Sequence, residues 1–278
     1  MPQIDQFLGK TVLRSPVGTR KPHPDHPWKP KEMPSIPQPF SNLPLEGWIT
    51  QLQQAAQAED RLRALQAIGS LANPAEIAQS AANSLQDADP MLRALAAKLL
   101  ANPHSPLATE TTARLEFLLN DPDPDVQFEA ARTLIRKNSA KDSRAIPTLL
   151  AFLDEGETQP LMVASIINLL AANSPIAGLN TTDLLPRLQQ RIEHDRGEVR
   201  EAVAIAFAKW PALCQSLVDQ LLPLLDDSEP VVREKIAEAF GQAGLTEEKI
   251  QSALKIATQD EDTEVARVAT EALQRLQC

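Results

Sequence analysis

From Trp48 onward, apolar and small residues return on a helical spacing, and one short pattern recurs along the chain. In its clearest copies an apolar anchor stands five positions after an Asp. These copies are DADPMLRALAAKLL (87–100), DPDPDVQFEAARTL (121–134), DDSEPVVREKIAEAF (226–240) and DEDTEVARVATEAL (260–273). DRGEVREAVAIAF (195–207) is a fifth copy, and 60–71 and 156–170 are weaker ones. The anchors are Leu62, Leu92, Val126, Met162, Val199, Val232 and Val265, separated by 30, 34, 36, 37, 33 and 33 residues. Eight positions after six of them comes Leu100, Leu134, Leu170, Phe207, Phe240 or Leu273; Ser70 fills that slot in the first copy. Ala67, Ala97, Ala131, Ala204 and Ala237 stand five positions after their anchors. Anchor, small residue and large residue thus share one stripe of a helix, and the alanine lets a neighbouring helix approach closely.

A second set of apolar helical segments lies between the copies, from WITQLQQAAQ at 48 to EKIQSALKIA at 248. The pattern therefore predicts an all-α chain of about seven antiparallel helix pairs. Asp89-Pro90 and Asp123-Pro124 place an N-cap before a first-turn proline, where the missing donor costs nothing. A single pair cannot bury its apolar face, so the pairs are expected to stack into an α-α superhelix. The long connection AANSPIAGLNTTD after Leu170 interrupts the spacing and is expected to bend the stack.

The recurring D-x-D-P-x-V-R-x-x-A-A-x-x-L pattern resembles the HEAT repeat, in particular the subtype of cyanobacterial phycobilisome lyases, over roughly residues 48–277. The resemblance implies a HEAT-like solenoid in which the loop Asp and the Arg after the anchor stack between adjacent repeats. Asp87 and Arg93 match that motif, as do Asp227 and Arg233. Arg200 matches with its acid displaced to Asp195, while Asp121 and Asp260 stand with Gln127 and Ala266 in place of the arginine. Read this way the ladder is incomplete, and these residues are structural.

Ahead of the solenoid, assigned to 46–278, residues 1–45 hold ten of the 23 prolines and are expected to form an extended or disordered arm. The arm carries six Lys/Arg and three Asp/Glu, a net of +3, which leaves −13 on the rest of a chain whose total is −10. An acidic body argues against nucleic acid as the main ligand. No stretch reaches the roughly 20 apolar residues of a transmembrane helix. With two cysteines, Cys214 and Cys278, and no CxxC pair, a cytoplasmic setting is the simplest. Cys214 is expected to be a buried small hydrophobe on an apolar helix.

No catalytic constellation, metal site or cofactor motif emerges. Gly241-x-x-Gly244 reads as a helix cap. His23 and His26 fall in the arm, and His194 at a helix junction is expected to cap or face solvent. Paired carboxylates such as Asp226-Asp227 fall in turns and read as caps. In a curved stack the second helices usually line the concave face, and slots two and six residues past each anchor point away from the core. They include Lys98, Phe128, Arg132, Glu201, Glu234, Glu238, Arg267 and Glu271. Phe128, Arg132 and Arg136 form an apolar-plus-basic candidate patch, and the C-terminal repeats are acidic. In the arm, Ile4, Phe7, Leu8 and Trp28 are candidate anchors. The expected role is a non-catalytic scaffold, adaptor or assembly factor that binds one or more proteins. The alternative, from the subtype resemblance, is a phycobilin lyase-like subunit acting on phycobiliproteins; the resemblance implies that one chain need not carry a whole site, since such lyases often act as heterodimers.

Overall fold

The computed structural model describes residues 43–138, 144–155 and 159–277. The arm residues Ile4, Phe7, Leu8 and Trp28, the histidines at 23 and 26, and Cys278 lie outside them. The described residues hold fourteen α-helices and no strand. They run α1 Leu45–Gln54, α2 Ala58–Leu71, α3 Pro74–Ser84, α4 Pro90–Leu100, α5 Thr109–Phe117, α6 Pro124–Asn138, α7 Ala145–Asp154, α8 Pro160–Ala172, α9 Thr181–Gln189, α10 Gly197–Lys209, α11 Val218–Leu221, α12 Pro230–Ala243, α13 Glu248–Ala257 and α14 Thr263–Gln277. They form seven pairs, each made of an odd-numbered first helix and an even-numbered second helix.

Five of the seven anchors behave as the pattern requires and Leu62 is nearly buried, but in the fourth repeat Val163 is buried and Met162 only half-buried. Leu92, Val126, Val199, Val232 and Val265 are fully buried, with Ala97, Ala131, Ala204 and Ala237 beside them. One apolar core runs without interruption from Leu62 to Leu276. A smaller cluster of Trp48, Ala64, Ala67, Ile68 and Ile77 closes its N-terminal end. The first helix of the sixth pair differs from expectation. Residues 211–216 and 222–226 are 3₁₀ turns on either side of the four-residue α11, so Cys214 sits in a 3₁₀ turn rather than on an α-helix. Pro211 and Pro223 lack the amide donor that a continuous ladder of i to i−4 bonds needs.

The main connection between repeats is a ladder of arginine–aspartate pairs. Arg61 grips Asp87, Arg93 grips Asp121, Arg200 grips Asp227 and Arg233 grips Asp260, each through Nε and Nη2 with both contacts at 2.7–2.8 Å. In each case the acid belongs to the following repeat. Nη1 of the same arginine donates to carbonyls just past its own first helix: Ala55 and Ala56 for Arg61, Asp87 and Ala88 for Arg93, His194 and Asp195 for Arg200, Asp227 for Arg233. Each aspartate also accepts the amide two residues on, at Asp89, Asp123, Glu229 and Asp262. The pairs are well shielded, with the Arg93 and Asp121 side chains only 13% and 6% exposed.

The contacts do join adjacent repeats, as the resemblance implied, but the matching of acid to arginine within one copy is corrected. Because the arginine reaches forward, Asp121 and Asp260 are both held, and Gln127 and Ala266 do not deprive them of a partner. The acid that serves Arg200 is Asp227, while Asp195 offers only its main-chain oxygen. In the first repeat the ladder slot belongs to Arg61, one residue before the anchor Leu62; Arg63, one residue after it, makes a local contact with Asp60. The slot lies six residues after the loop carbonyl it caps, and that distance, not position relative to the anchor, defines it. In the fifth repeat the acid slot is filled by His194, whose Nδ1 accepts the Arg196 amide at 3.0 Å just as the aspartates do.

Two junctions lack an arginine. Gln127 keeps the bond to its own loop, Nε2 to the Asp121 carbonyl at 2.5 Å, and Val163 occupies the slot in the fourth repeat. Between the fourth and fifth repeats other contacts substitute: Arg187 binds Asp154 at 2.6 and 2.7 Å, and Arg191 donates to the Leu153 carbonyl. The helices α8 and α10 pack broadly there, so the stack is continuous across the connection that was expected to bend it. Ile176 is buried in that connection, and Trp210 Nε1 donates to Ser174 Oγ at 3.0 Å. Between the third and fourth repeats, Arg144 just ahead of α7 pairs with Glu116 on α5. The pairs α4/α6, α8/α10, α10/α12 and α12/α14 pack side by side, whereas α6 rests on α7 and makes no comparable contact with α8.

Of the two glycines read as a cap, Gly244 is the cap, at φ 64° after α12. Gly241 is a packing residue: a Cβ there would lie 2.7 Å from both Cα and Cβ of Ala272 on α14. At Gly69 the obstruction is the tip of Leu99, which can rotate away. Gly241→Ala is therefore expected to destabilise by roughly 1–3 kcal/mol in urea unfolding despite alanine's helix propensity, because overpacking against backbone outweighs it. Gly69→Ala should be neutral or mildly stabilising, and equal losses at both positions would contradict this reading.

The ladder also predicts an acid response. Hydrogen bonds from Arg61 and Arg233 hold Asp87 and Asp260 below the ordinary carboxylate range. At Asp121 and Asp227 burial pushes the other way, and the arginine and amide bonds outweigh it. A depressed folded-state pKa gives stability that is complete above the unfolded value near pH ~4 and is lost as pH falls through the folded value. Urea midpoints should thus be insensitive to these groups between pH 5 and 7, in the order of magnitude set by that unfolded value, and should fall below about pH 4. Replacing the four arginines by Gln should flatten that fall.

Candidate partner-binding face

Apart from α6 and α8, successive second helices lie broadly against one another, whereas successive first helices touch sparsely. The layer with the closer approach is the inside of a curved stack, so the second helices present the inner face. Its side chains project from turns next to the ladder slots, so the register that buries the anchors also sets which residues face inward.

On α4 and α6 this face carries Lys98, Glu129, Arg132 and Arg136. Lys98 and Arg136 are exposed and Arg132 is half-buried. Phe128 is half-buried and packed on the core, so it supplies a partly covered apolar floor rather than a free anchor. Arg132 approaches Glu129 at 2.6 Å. The approach is poorly aligned, and both Glu129 Oε2 and Arg132 Nε are buried without a directed hydrogen bond. Burial pushes the Glu129 carboxyl up against the opposing pull of Arg132 and Lys98. Three cations and the Asp125 carboxylate thus surround Glu129, and with three positive against two negative charges the patch is net positive.

The face changes character along the stack. On α8 the exposed inner positions are the uncharged Ser165 and Asn168. On α10 and α12 come Glu198, Glu201, Glu234 and Glu238. Burial raises the Glu201 carboxyl, and the carboxylates of Glu229, Glu198 and Asp227 add to it. At the C-terminal end Lys235 binds Glu234 and Glu238 at 2.7 and 3.0 Å, and Arg267 bridges Glu264 and Glu271. These pairs line a shallow cleft of about 230 Å³.

A larger cleft of about 620 Å³ opens between the end of α3 and α5, on the first-helix side. Leu85, Ala113, Phe117, Leu118 and Pro122 form its apolar lining, with Arg114 at the rim. Phe117 is 81% exposed and was not among the residues singled out from the sequence. The available signal was its place four residues before the ladder Asp121, where the third helix's counterpart is the polar Asn83 and the thirteenth helix's is Ile256, itself 77% exposed.

Of the remaining candidates, Cys214 is fully buried, and burial pushes its thiol up to about 12, so it is a neutral packing group. The turn acids cap helices: Asp89 Oδ1 accepts from Met91 and Leu92, and Asp123 and Asp262 do the same for their helices. Among the described residues no group of three or more His, Cys, Asp or Glu could hold a metal ion, and no helix is long and apolar enough to cross a membrane.

A family model described as HEAT repeats matches residues 78–171, 111–208 and 181–274, which together span well over half of the chain. No curated protein matches in sequence. Among solved structures, the complex of CpcE and CpcF of phycocyanin lyase from Nostoc sp. PCC7120 is similar at 22% identity, over 87% of this chain and 100% of that one, with a TM-score of 0.45. Kap95p in its complex with RanGDP is similar at 18% identity, over 84% of this chain and 35% of that one, with a TM-score of 0.47. The E. coli protein YibA is similar at 15% identity, over 84% and 93%, with a TM-score of 0.50, a likeness of fold alone.

The Glu129 environment predicts a pH-dependent variant effect. A carboxylate raised by burial costs stability above its folded pKa and ceases to do so once protonated in both states. Glu129→Gln should raise stability at pH 7 by up to about 1 kcal/mol, and the gain should vanish near pH ~4. A destabilisation at pH 7 would show instead that the contact with Arg132 outweighs the burial.

Proposed function

The chain belongs to the HEAT-repeat family, and from that premise we propose that it is a non-catalytic protein-binding scaffold, an adaptor or assembly factor. Binding is through the inner face of the solenoid, residues 46–278, and through the N-terminal arm, residues 1–45. The observation that carries this reading is the change of sign along the inner face, from Lys98, Arg132 and Arg136 on α4 and α6 to Glu198, Glu201, Glu234 and Glu238 on α10 and α12. A surface of this kind offers complementary charge to one folded or extended partner in one orientation, which gives specificity and encounter rate. In the arm, Ile4, Phe7, Leu8 and Trp28 supply apolar anchors of the type that dominate binding energy in peptide-like segments.

Affinity capture from the host lysate with three full-length baits tests the reading. They are the native chain, Lys98→Glu/Arg132→Glu/Arg136→Glu, and a bait with the four arm anchors changed to Ser. A protein retained by the native chain should be lost, about tenfold or more, with at least one variant. Retention that ignores both variants, or no retained protein, contradicts the proposal. The phycobilin lyase-like reading rests on the repeat pattern and makes a different prediction. Mixing the chain with bilin and a phycobiliprotein would change the visible absorbance, where the scaffold reading expects no change.

A further inference from the structure

We infer that the turn between α4 and α5 is a binding nest for a primary ammonium ion, and that Lys137, reaching it from the end of α6, supplies that ion from within the chain. Lys137 Nζ donates to the main-chain oxygens of Asn102, Pro103 and Ser105, the last two at 3.3 and 2.7 Å. An ammonium has three donors, so the three carbonyls engage all of them. The turn is rich in acceptors and poor in donors, because Pro103 and Pro106 carry no amide hydrogen. Ser105 is 4% exposed, and its Oγ has no hydrogen-bond partner among the described residues. The nest also lies just past the C-terminal end of α4, where the partial negative charge of the helix favours a cation. Burial pulls the Lys137 pKa down, and the carbonyl oxygens offset that cost.

The same slot, ten residues past the ladder position, sends Trp210 Nε1 back to Ser174 in the connection ahead of its own repeat. There one neutral donor meets one hydroxyl. At the α4–α5 turn three acceptors converge on one point, which suits a compact ammonium and not a planar guanidinium or a side-chain amide. With the nest filled, α4 and α6 are tied at both ends and in the middle. Arg93 grips Asp121 near their N-terminal ends, Thr133 Oγ1 donates to the Ala97 carbonyl at 2.7 Å, and Lys137 closes the C-terminal ends. Lys98, Arg132 and Arg136 lie between these ties, so the basic part of the inner face is set before any partner arrives. The nest itself does not depend on what that face binds.

Chemical rescue of a full-length Lys137→Ala variant tests the assignment. The variant should unfold at lower urea than the native chain at pH 7. n-Propylammonium replaces the deleted carbons together with the ammonium. At roughly 0.1 M it should return at least about half of the lost midpoint, as a ligand of the folded state does. Tetramethylammonium at the same concentration has no N–H to donate and should return none. A variant as stable as the native chain, no rescue, or equal rescue by both ions would overturn the nest. A second reading needs no destabilised variant. In the native chain labelled with nitrogen-15 lysine, the Lys137 ammonium protons should exchange slowly enough to give a resolved signal, assigned by its loss in Lys137→Arg. Exchange as fast as that of the exposed Lys255 would overturn the assignment as well.

Discussion

At four of its six junctions, one repeat of this solenoid is attached to the next by a guanidinium that does two things at once. A first helix ends with carbonyls that its own turns leave unsatisfied. Arg93 meets that need with Nη1 on the carbonyls of Asp87 and Ala88, then uses Nε and Nη2 to grip Asp121 in the following repeat. The planar fork makes both sets of contacts possible together, and lysine, with one rotating ammonium, could not reproduce them. Asp121 is in turn fixed by the Asp123 amide, so the acid arrives already oriented. The anchors and alanines then bury their stripes in one register. Because the ladder is largely shielded from water, an arginine without its acid would leave a buried charge unpaired, which is more costly than a missing surface pair.

That dependence sets what the inner face can display. Slots just after the ladder position face inward, so side-chain identity there is free to vary while the fold is kept. Lys98 and Arg132 in one part, and Glu238 in another, stand at corresponding places, six residues after their anchors. The third-repeat Gln127 and fourth-repeat Val163 relax the ladder in the middle of the chain, between these two charged regions.

Much of this was legible in the sequence because the repeat is periodic and its anchors are strictly apolar. The seven pairs, the alanine approach sites, the Asp-Pro caps and the Gly244 cap all follow from local chemistry. The ladder was legible in residue type but not in partner. A motif read within one copy pairs Asp87 with Arg93, whereas the fold pairs each arginine with the next copy's acid, a relation between residues 26–28 apart that spacing alone does not reveal. Arg61 was missed because its slot is defined by a loop carbonyl rather than by the anchor. The 3₁₀ breaks around α11 follow from Pro211 and Pro223, which an apolar run conceals. Phe117 escaped notice because apolar residues near helix ends are ordinary, and its exposure depends on how far α3 and α5 splay.

A double-mutant cycle on Arg93→Ala and Asp121→Ala, read by urea unfolding at pH 7, tests most directly whether the ladder joins the repeats. The structure predicts a coupling of about 1–3 kcal/mol between the two positions, with each single variant strongly destabilised. A coupling below about 0.5 kcal/mol, within the scatter of independent sites, would mean that apolar packing alone holds the repeats in register and would contradict the account.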